Sequence, residues 1–185
     1  MEFEVIFKQV LKWEAEKGLT NDPDDAGGLT NDGLTWKHYY LLCKRVLNIE
    51  PSLAHFEAMP KADISAFYWY SYKESNCAAI EDKLVGAVCF DFAVNSKFAK
   101  REIQRLLREV GYDLNADNVF GPLSIAAINQ ATKRFGTVAF CKMILDKRTM
   151  YVNGLVKRKS SQKKFLKGWL NRINDWREFV AKNVE

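Results

Sequence analysis

The sequence predicts a mainly α-helical fold interrupted by one short loop or β-hairpin. Three observations lead there. Apolar residues recur at i, i+3, i+4 and i+7 along most of the chain. The residues that bend backbone, Gly, Asn, Asp and Pro, crowd into the stretch from Gly18 to Gly33. Of the 185 residues, 48% are hydrophobic and 13% aromatic, enough to bury a core of ordinary size.

Phe3, Ile6, Phe7, Val10 and Leu11 share one face and place the first helix from there to about Glu16, with Gly18 at its C-cap. Asn21-Asp22-Pro23 is turn chemistry, so Leu19 to Thr35 reads as a loop or short hairpin. Tyr39, Leu42, Cys43, Val46 and Leu47 define a second helix over Trp36 to Leu47. A third, capped by Asp63 and ending near Lys73, carries the aromatic run FYWYSY. The segment Asp82 to Asn95 is apolar nearly all round and predicts a buried central helix. Lys97 to Val110 follows, facing inward through Phe98, Ile103, Leu106, Leu107 and Val110 and ended by Gly111. Pro122 opens another helix, and two more span about Thr137 to Val156 and Gln162 to Lys182. The last has the stripe Phe165, Trp169, Ile173, Trp176 and Val180.

The formal charge of +5, from 28 basic and 23 acidic residues, favours anionic partners without choosing among them. No nucleic-acid-binding motif accompanies it, so nucleic acid is not an expected partner. Cys43, Cys77, Cys89 and Cys141 lack metal-ligand spacing and read as buried free thiols, with one disulfide as the alternative. His38 and His55 have no Cys or His at ligand spacing, and no metal or cofactor is expected. The first sixteen residues lack a basic n-region and an apolar h-region, and no stretch approaches the roughly 20 apolar residues of a membrane span. The expectation is cytoplasmic accumulation without stable membrane insertion.

The segment from Glu14 to Thr35, EAEKGLTNDPDDAGGLTNDGLT, reads as a site. Glycoside hydrolysis needs a carboxylic acid still protonated near neutral pH and usually a second, ionised carboxylate. Glu16 follows Trp13 at the end of an apolar helix, where partial burial disfavours its anion. Asp25, on polar backbone, suits an ionised base, and the Thr30 hydroxyl can orient a water. Gly27-Gly28 lets backbone approach a sugar ring. The same composition also describes a surface turn, and both readings stand at this level. Calcium is a weaker reading, because no D-x-D-x-D-G loop closes on a Glu. Phe67, Tyr68, Trp69, Tyr70 and Tyr72 either line a glycan cleft or fill the core, and Asn95 either contacts substrate or caps its helix. The basic run VKRKSSQKK, 156–164, is a solvated connection that can also hold an anionic wall.

EKGLTNDPDDAGGLTNDGLT resembles the E-G-G-Y-x-N-D-P-x-D-x-G-G-x-T-x-x-G-I-T signature of the glycoside hydrolase family 108 muramidases, the phage endolysin and secretion-activator group. FDFAVN at 90–95 is similar to that family's F-D-x-A-V-N helix. VFGPLSIAAIN at 119–129 resembles the start of its C-terminal peptidoglycan-binding region, and KFLKGWLNR at 164–172 its F-x-x-G-W-x-x-R ending. The resemblance implies a lysozyme-like helical fold that cleaves peptidoglycan between N-acetylmuramic acid and N-acetylglucosamine. It implies a catalytic region over 1–95 and a peptidoglycan-binding region over 96–185, packed on the first or forming one compact domain with it. Glu16 takes the place of the catalytic glutamate, and Asp25 and Thr30 match the following Asp and Thr. Asn21, Asp22, Gly28, Tyr68 and Asn95 are the candidate substrate contacts. A monomer acting on glycan strands after release through a holin or another export route completes the expectation. The non-catalytic alternative is a wall-binding or secretion-assisting protein on the same fold.

The chain departs from the family pattern at Lys17 and Leu19, where the family has Gly and Tyr. It departs again at Tyr72-Lys73, in place of a Tyr-Trp pair, and at Asp117-Asn118, in place of Asp-Gly.

Overall fold

Helical periodicity in the sequence becomes helix through most of the chain in a computed structural model that describes residues 2–14, 18–21 and 28–183. The residues form two compact units, 1–74 and 75–185. The family-pattern boundary expected at 95/96 and the boundary of the compact units therefore fall at different places. The central helix, 83–95, packs with the helices that follow it.

The first unit runs α1 (Phe3–Glu14), β1 (Leu19–Asn21), β2 (Leu29–Asn31), β3 (Leu34–Thr35), α2 (Trp36–Leu47), α3 (Leu53–Glu57) and α4 (Lys61–Glu74). The α1 helix buries Ile6, Phe7 and Val10, one stripe at helical spacing, and packs on α4. Phe3 and Phe7 of α1 meet Trp69, Tyr72 and Tyr68 of α4 with ring centroids 4.7 to 5.6 Å apart. Thr35 caps α2 by accepting the His38 amide at 3.2 Å, and Ser52 caps α3 by accepting that of His55 at 3.2 Å. The five-residue α3 is too short for a periodic signal and was not expected from the sequence.

Asp63 is not the cap of α4. The helix starts at Lys61, the Pro60 carbonyl accepts the amides of Asp63 and Ile64 at 3.0 and 3.1 Å, and the Asp63 carboxylate pairs instead with His55 Nε2 at 2.9 Å. The loop or hairpin expected over 19–35 is a three-stranded antiparallel sheet in the order β1-β2-β3. Thr30 lies opposite Thr20 on one side and Thr35 on the other.

The second unit runs α5 (Lys83–Asn95), α6 (Ala99–Glu109), α7 (Pro122–Phe135), α8 (Thr137–Arg158) and α9 (Lys163–Lys182), with single 3₁₀ turns at Cys77–Ala79 and Ser160–Gln162. Asp82 caps α5 by accepting the amides of Leu84 and Val85 at 2.9 and 3.1 Å. Every residue from Leu84 to Phe92 is buried, as the all-round apolar pattern requires. The 22-residue α8 packs against α5, α6, α7 and α9. The inward stripe of α9 starts later than expected: Ile173, Trp176 and Val180 are buried, whereas Phe165 is 45% exposed.

All four cysteines are buried free thiols, and burial pushes Cys77 up to about 11. Asn118 occupies the left-handed region at φ +70°, which explains how it stands where the family has Gly. Its Oδ1 accepts the Arg101 amide and its Nδ2 donates to the Lys97 carbonyl, both at 3.0 Å.

Candidate functional site

The acid- and glycine-rich segment contains the turn between β2 and β3. Asn31 pairs with Leu34, leaving Asp32-Gly33 as a two-residue loop with φ +45° and +79°. Positive φ at both central positions is the type I′ turn, whose twist suits a hairpin, and Asp-Gly is among its preferred dipeptides.

The turn is tied to α3, to Gly18 and to α4. The Asn31 side chain donates to the Phe56 carbonyl at 2.7 Å, fastening the hairpin to α3. The Asp32 amide donates to the Gly18 carbonyl at 3.2 Å. From α4, Tyr68 Oη donates to the Asp32 carbonyl at 3.1 Å, and Lys61 Nζ donates to Asp32 Oδ2 at 2.6 Å. The Asp32 side chain is buried, while that of Lys61 is 67% exposed.

At Gly33 the end of α1 meets this assembly. A Cβ there would stand 2.6 Å from Tyr68 Oη, 2.9 Å from Glu14 Cβ and 3.1 Å from Glu14 Oε2. Only a residue without a side chain allows the three segments to converge. The contact therefore anchors the last described turn of α1, two residues before Glu16.

Glu16, Asp22 and Asp25 lie outside the described residues, as does Lys17. Asn21, Gly28 and Thr30 share the β1–β2 hairpin. Asn21 is exposed at the end of β1, opposite Leu29. Gly28 has φ +63°, and a Cβ there would meet nothing within 4 Å among the described residues, so the backbone conformation itself favours glycine. Thr30 Oγ1 donates to the Gly28 carbonyl at 3.0 Å, which leaves the oxygen lone pairs as acceptors.

Of the aromatic run, Phe67, Tyr68 and Tyr72 are buried and Trp69 is 39% exposed. Tyr68 packs its ring against Phe7, as a core role requires, and its hydroxyl adds a contact the sequence did not suggest by holding the turn.

Asn95 belongs to the second unit, and Ser96 rather than Asn95 is the C-cap of α5. Asn95 Oδ1 accepts from Arg148 Nη2 at 3.1 Å. This bond borders a buried charge cluster in which Asp91 receives Arg148 Nη1 at 2.6 Å and Arg172 Nη2 at 2.5 Å. Burial alone would raise the Asp91 carboxyl, but the two guanidiniums outweigh it and hold the group below its ordinary 3.8. Asp91 comes from FDFAVN and Arg172 from KFLKGWLNR, so two of the family-like motifs meet as one ion pair. Arg148 had no sequence signal.

Among the described residues, no group of three or more His, Cys, Asp or Glu side chains could hold a metal ion. No helix among them is long and apolar enough to cross a membrane.

The glycosyl hydrolase 108 model matches residues 7–96, and a predicted peptidoglycan domain model matches 98–174. Residues 7–96 thus carry a glycosyl hydrolase 108 region, followed by a predicted peptidoglycan region. Its fold is similar to that of Brucella abortus SagA, with a TM-score of 0.70 at 21% identity over 97% of this chain and 94% of that one. No curated protein sequence matches it significantly. The mainly α, lysozyme-like architecture expected from the sequence is thus the one observed. The match over 7–96 supports a glycoside hydrolase, and the second matched region supports peptidoglycan as its partner.

The sequence places Glu14 and Gly33 within the site segment without giving either a contact, and it leaves Lys61 outside. The Asp32-Gly33 dipeptide between Thr30-Asn31 and Leu34-Thr35 was the available signal for the turn. Nothing local marks Lys61.

Proposed function

We propose that this protein is an N-acetylmuramidase that cleaves the peptidoglycan strand between N-acetylmuramic acid and N-acetylglucosamine. The observation that carries the reading is the glycosyl hydrolase 108 match over 7–96, which contains the whole Glu16, Asp25 and Thr30 set. Glu16 serves as general acid, delivering its proton to the leaving glycosidic oxygen. Asp25 stays ionised and either takes a proton from the attacking water or steadies the developing positive charge. Thr30 orients that water by accepting its hydrogen, because its own hydroxyl proton is committed to the Gly28 carbonyl at 3.0 Å. The Asp32-Gly33 turn supports this reading by fixing the last described turn of α1 against α4, two residues before Glu16 in the chain. Asn21, Asp22, Gly28 and Tyr68 are the proposed substrate contacts of the first unit, and Asn95 is proposed separately for the second. The enzyme works as a monomer without cofactor and reaches the wall after cytoplasmic accumulation, through a holin or another export route, as a phage-type endolysin does.

The test is release of reducing ends from purified peptidoglycan by the wild type and by Glu16→Gln. The expected result is a loss of at least about a hundredfold, the scale of a missing general acid; equal release by the two proteins defeats the assignment.

A second reading, a wall-binding or secretion-assisting protein without hydrolysis, draws on the predicted peptidoglycan domain match and on Lys17 and Leu19. Saturable retention on peptidoglycan with no reducing ends from the wild type would select it.

A further inference from the structure

The second unit contains a groove of about 470 Å³ between α6 and α8, within the residues matched by the predicted peptidoglycan domain. Arg101 and Arg105 enter it from α6, Lys147 and Arg158 from α8. Two carboxylates offset these four cations: Glu102 receives Arg105 Nη1 at 2.7 Å, and Glu109 pairs with Lys147. Arg101 Nε stands 4.0 Å from Glu102 Oε1, beyond hydrogen-bond reach, and is a buried donor without a hydrogen-bond partner among the described residues. Its guanidinium carbon lies 4.2 Å from the Phe98 ring centroid, a stack that holds the fork in place without neutralising it.

Arg158 lies back along α8. Gly154 interrupts the long α8, where glycine is disfavoured, and a Cβ there would come within 3.3 Å of Arg158 Nη1. The glycine gives the guanidinium room against the helix one turn before it. Apolar surface adjoins the cations: Met150 is 68% exposed, and Tyr151 and Leu155 line the same groove.

We infer that this groove binds the free carboxylates of the peptide stems of peptidoglycan, with Arg101 and Arg158 as the anion-binding forks. Guanidiniums are suited to carboxylates because two parallel N–H donors match two oxygens. The stem presents such groups beside short aliphatic side chains, the combination that the cations and Met150, Tyr151 and Leu155 would receive. The inference extends the peptidoglycan reading by naming which part of the polymer the second unit holds.

The test uses the full chain carrying Glu16→Gln, so that the ligand is not consumed. Calorimetric titration compares a soluble disaccharide-tetrapeptide with free carboxylates against the same fragment amidated. The free form should bind at least tenfold more tightly. Arg158→Gln and Arg101→Gln should each weaken it several-fold while leaving the amidated form unchanged, and Arg101→Lys should recover only part of the loss. Arg158 is exposed, so its variant remains informative if Arg101→Gln unfolds. Equal binding of the two fragments, unchanged affinity in both Gln variants, or preferential displacement by inorganic phosphate or single-stranded DNA overturns the inference. Reducing-end release by the wild type without charge-dependent binding overturns the groove and leaves the muramidase reading intact. Groove-dependent binding by a wild type that releases none supports the groove and removes that reading.

Discussion

Gly33 and Asp91 show how single residues carry disproportionate weight. At Gly33, alanine would meet two obstacles together: a left-handed backbone that costs roughly 1–2 kcal/mol for a residue with a Cβ, and contacts with Tyr68 and Glu14 below 3.0 Å. Relief requires α1 or α4 to move, and α1 leads to Glu16. Gly33→Ala should therefore lower reducing-end release by tenfold or more while the far-ultraviolet circular dichroism stays helical; unchanged release would show that the turn does not govern the acid. Asp91 fails in a different way. Asp91→Asn removes the carboxylate that Arg148 and Arg172, 1% and 4% exposed, share. Losing one partner of a buried ion pair costs about 3–5 kcal/mol, so the melting midpoint should fall on the order of 10 °C. The sign of the acid dependence follows from the depressed carboxyl. Its stabilising contribution is full above the ordinary 3.8 and disappears as pH falls through the lower, folded-state value. Acid denaturation curves of the wild type and Asp91→Asn should converge in that range, and parallel curves would deny the cluster this role.

Elements are joined by contacts of the same kind, and the junction of α2, α3 and α4 illustrates it. Tyr39 of α2 bonds His55 Nδ1 of α3 at 2.8 Å, and His55 Nε2 meets Asp63 of α4 at 2.9 Å. Burial first, then the neighbouring Cys43 thiol, pushes Tyr39 from 10.0 up to about 12. Because the folded value is raised, the neutral phenol stabilises the fold fully below pH 10, and that contribution is lost as pH climbs from about 10 to 12. Urea midpoints should fall across this window in the wild type and fall less in Tyr39→Phe, whose starting stability is lower. Equal slopes would exclude Tyr39 as the titrating group. The helices themselves were legible in sequence because apolar periodicity is local, and α5 shows it best, buried from Leu84 to Phe92. Short α3 was not legible, since five residues cannot display a period. The Asp91 cluster joins positions 57 and 81 residues apart, and no local pattern encodes such a meeting. In the candidate site, Thr30, Gly28 and Tyr68 were singled out in sequence by hydrolytic, turn and aromatic chemistry, and the structure places Thr30 beside Gly28 and Tyr68 on the Asp32-Gly33 turn. Lys61 was missed because its partner Asp32 lies 29 residues away.

Across the whole molecule, the net charge of +5 bears on association rather than on fold. The Asp91 cluster is buried, and ions in solution screen such pairs weakly. The exposed cations, including Lys61 at 67% and Arg105 at 49% side-chain exposure, are open to screening. Salt should therefore separate wall binding from stability. The screening length falls from about 10 Å at 0.1 M to about 3 Å at 1 M, so surface attraction to an anionic wall polymer weakens sharply while buried pairs change little. Retention of the Glu16→Gln protein on purified peptidoglycan should drop several-fold between these concentrations. Its melting midpoint should shift by no more than a few degrees in the same buffers. Retention that persists at 1 M would assign wall binding to apolar and hydrogen-bonded contacts instead. A midpoint that collapsed with retention would mean that salt acts on the fold and that the exposed cations do not carry the association.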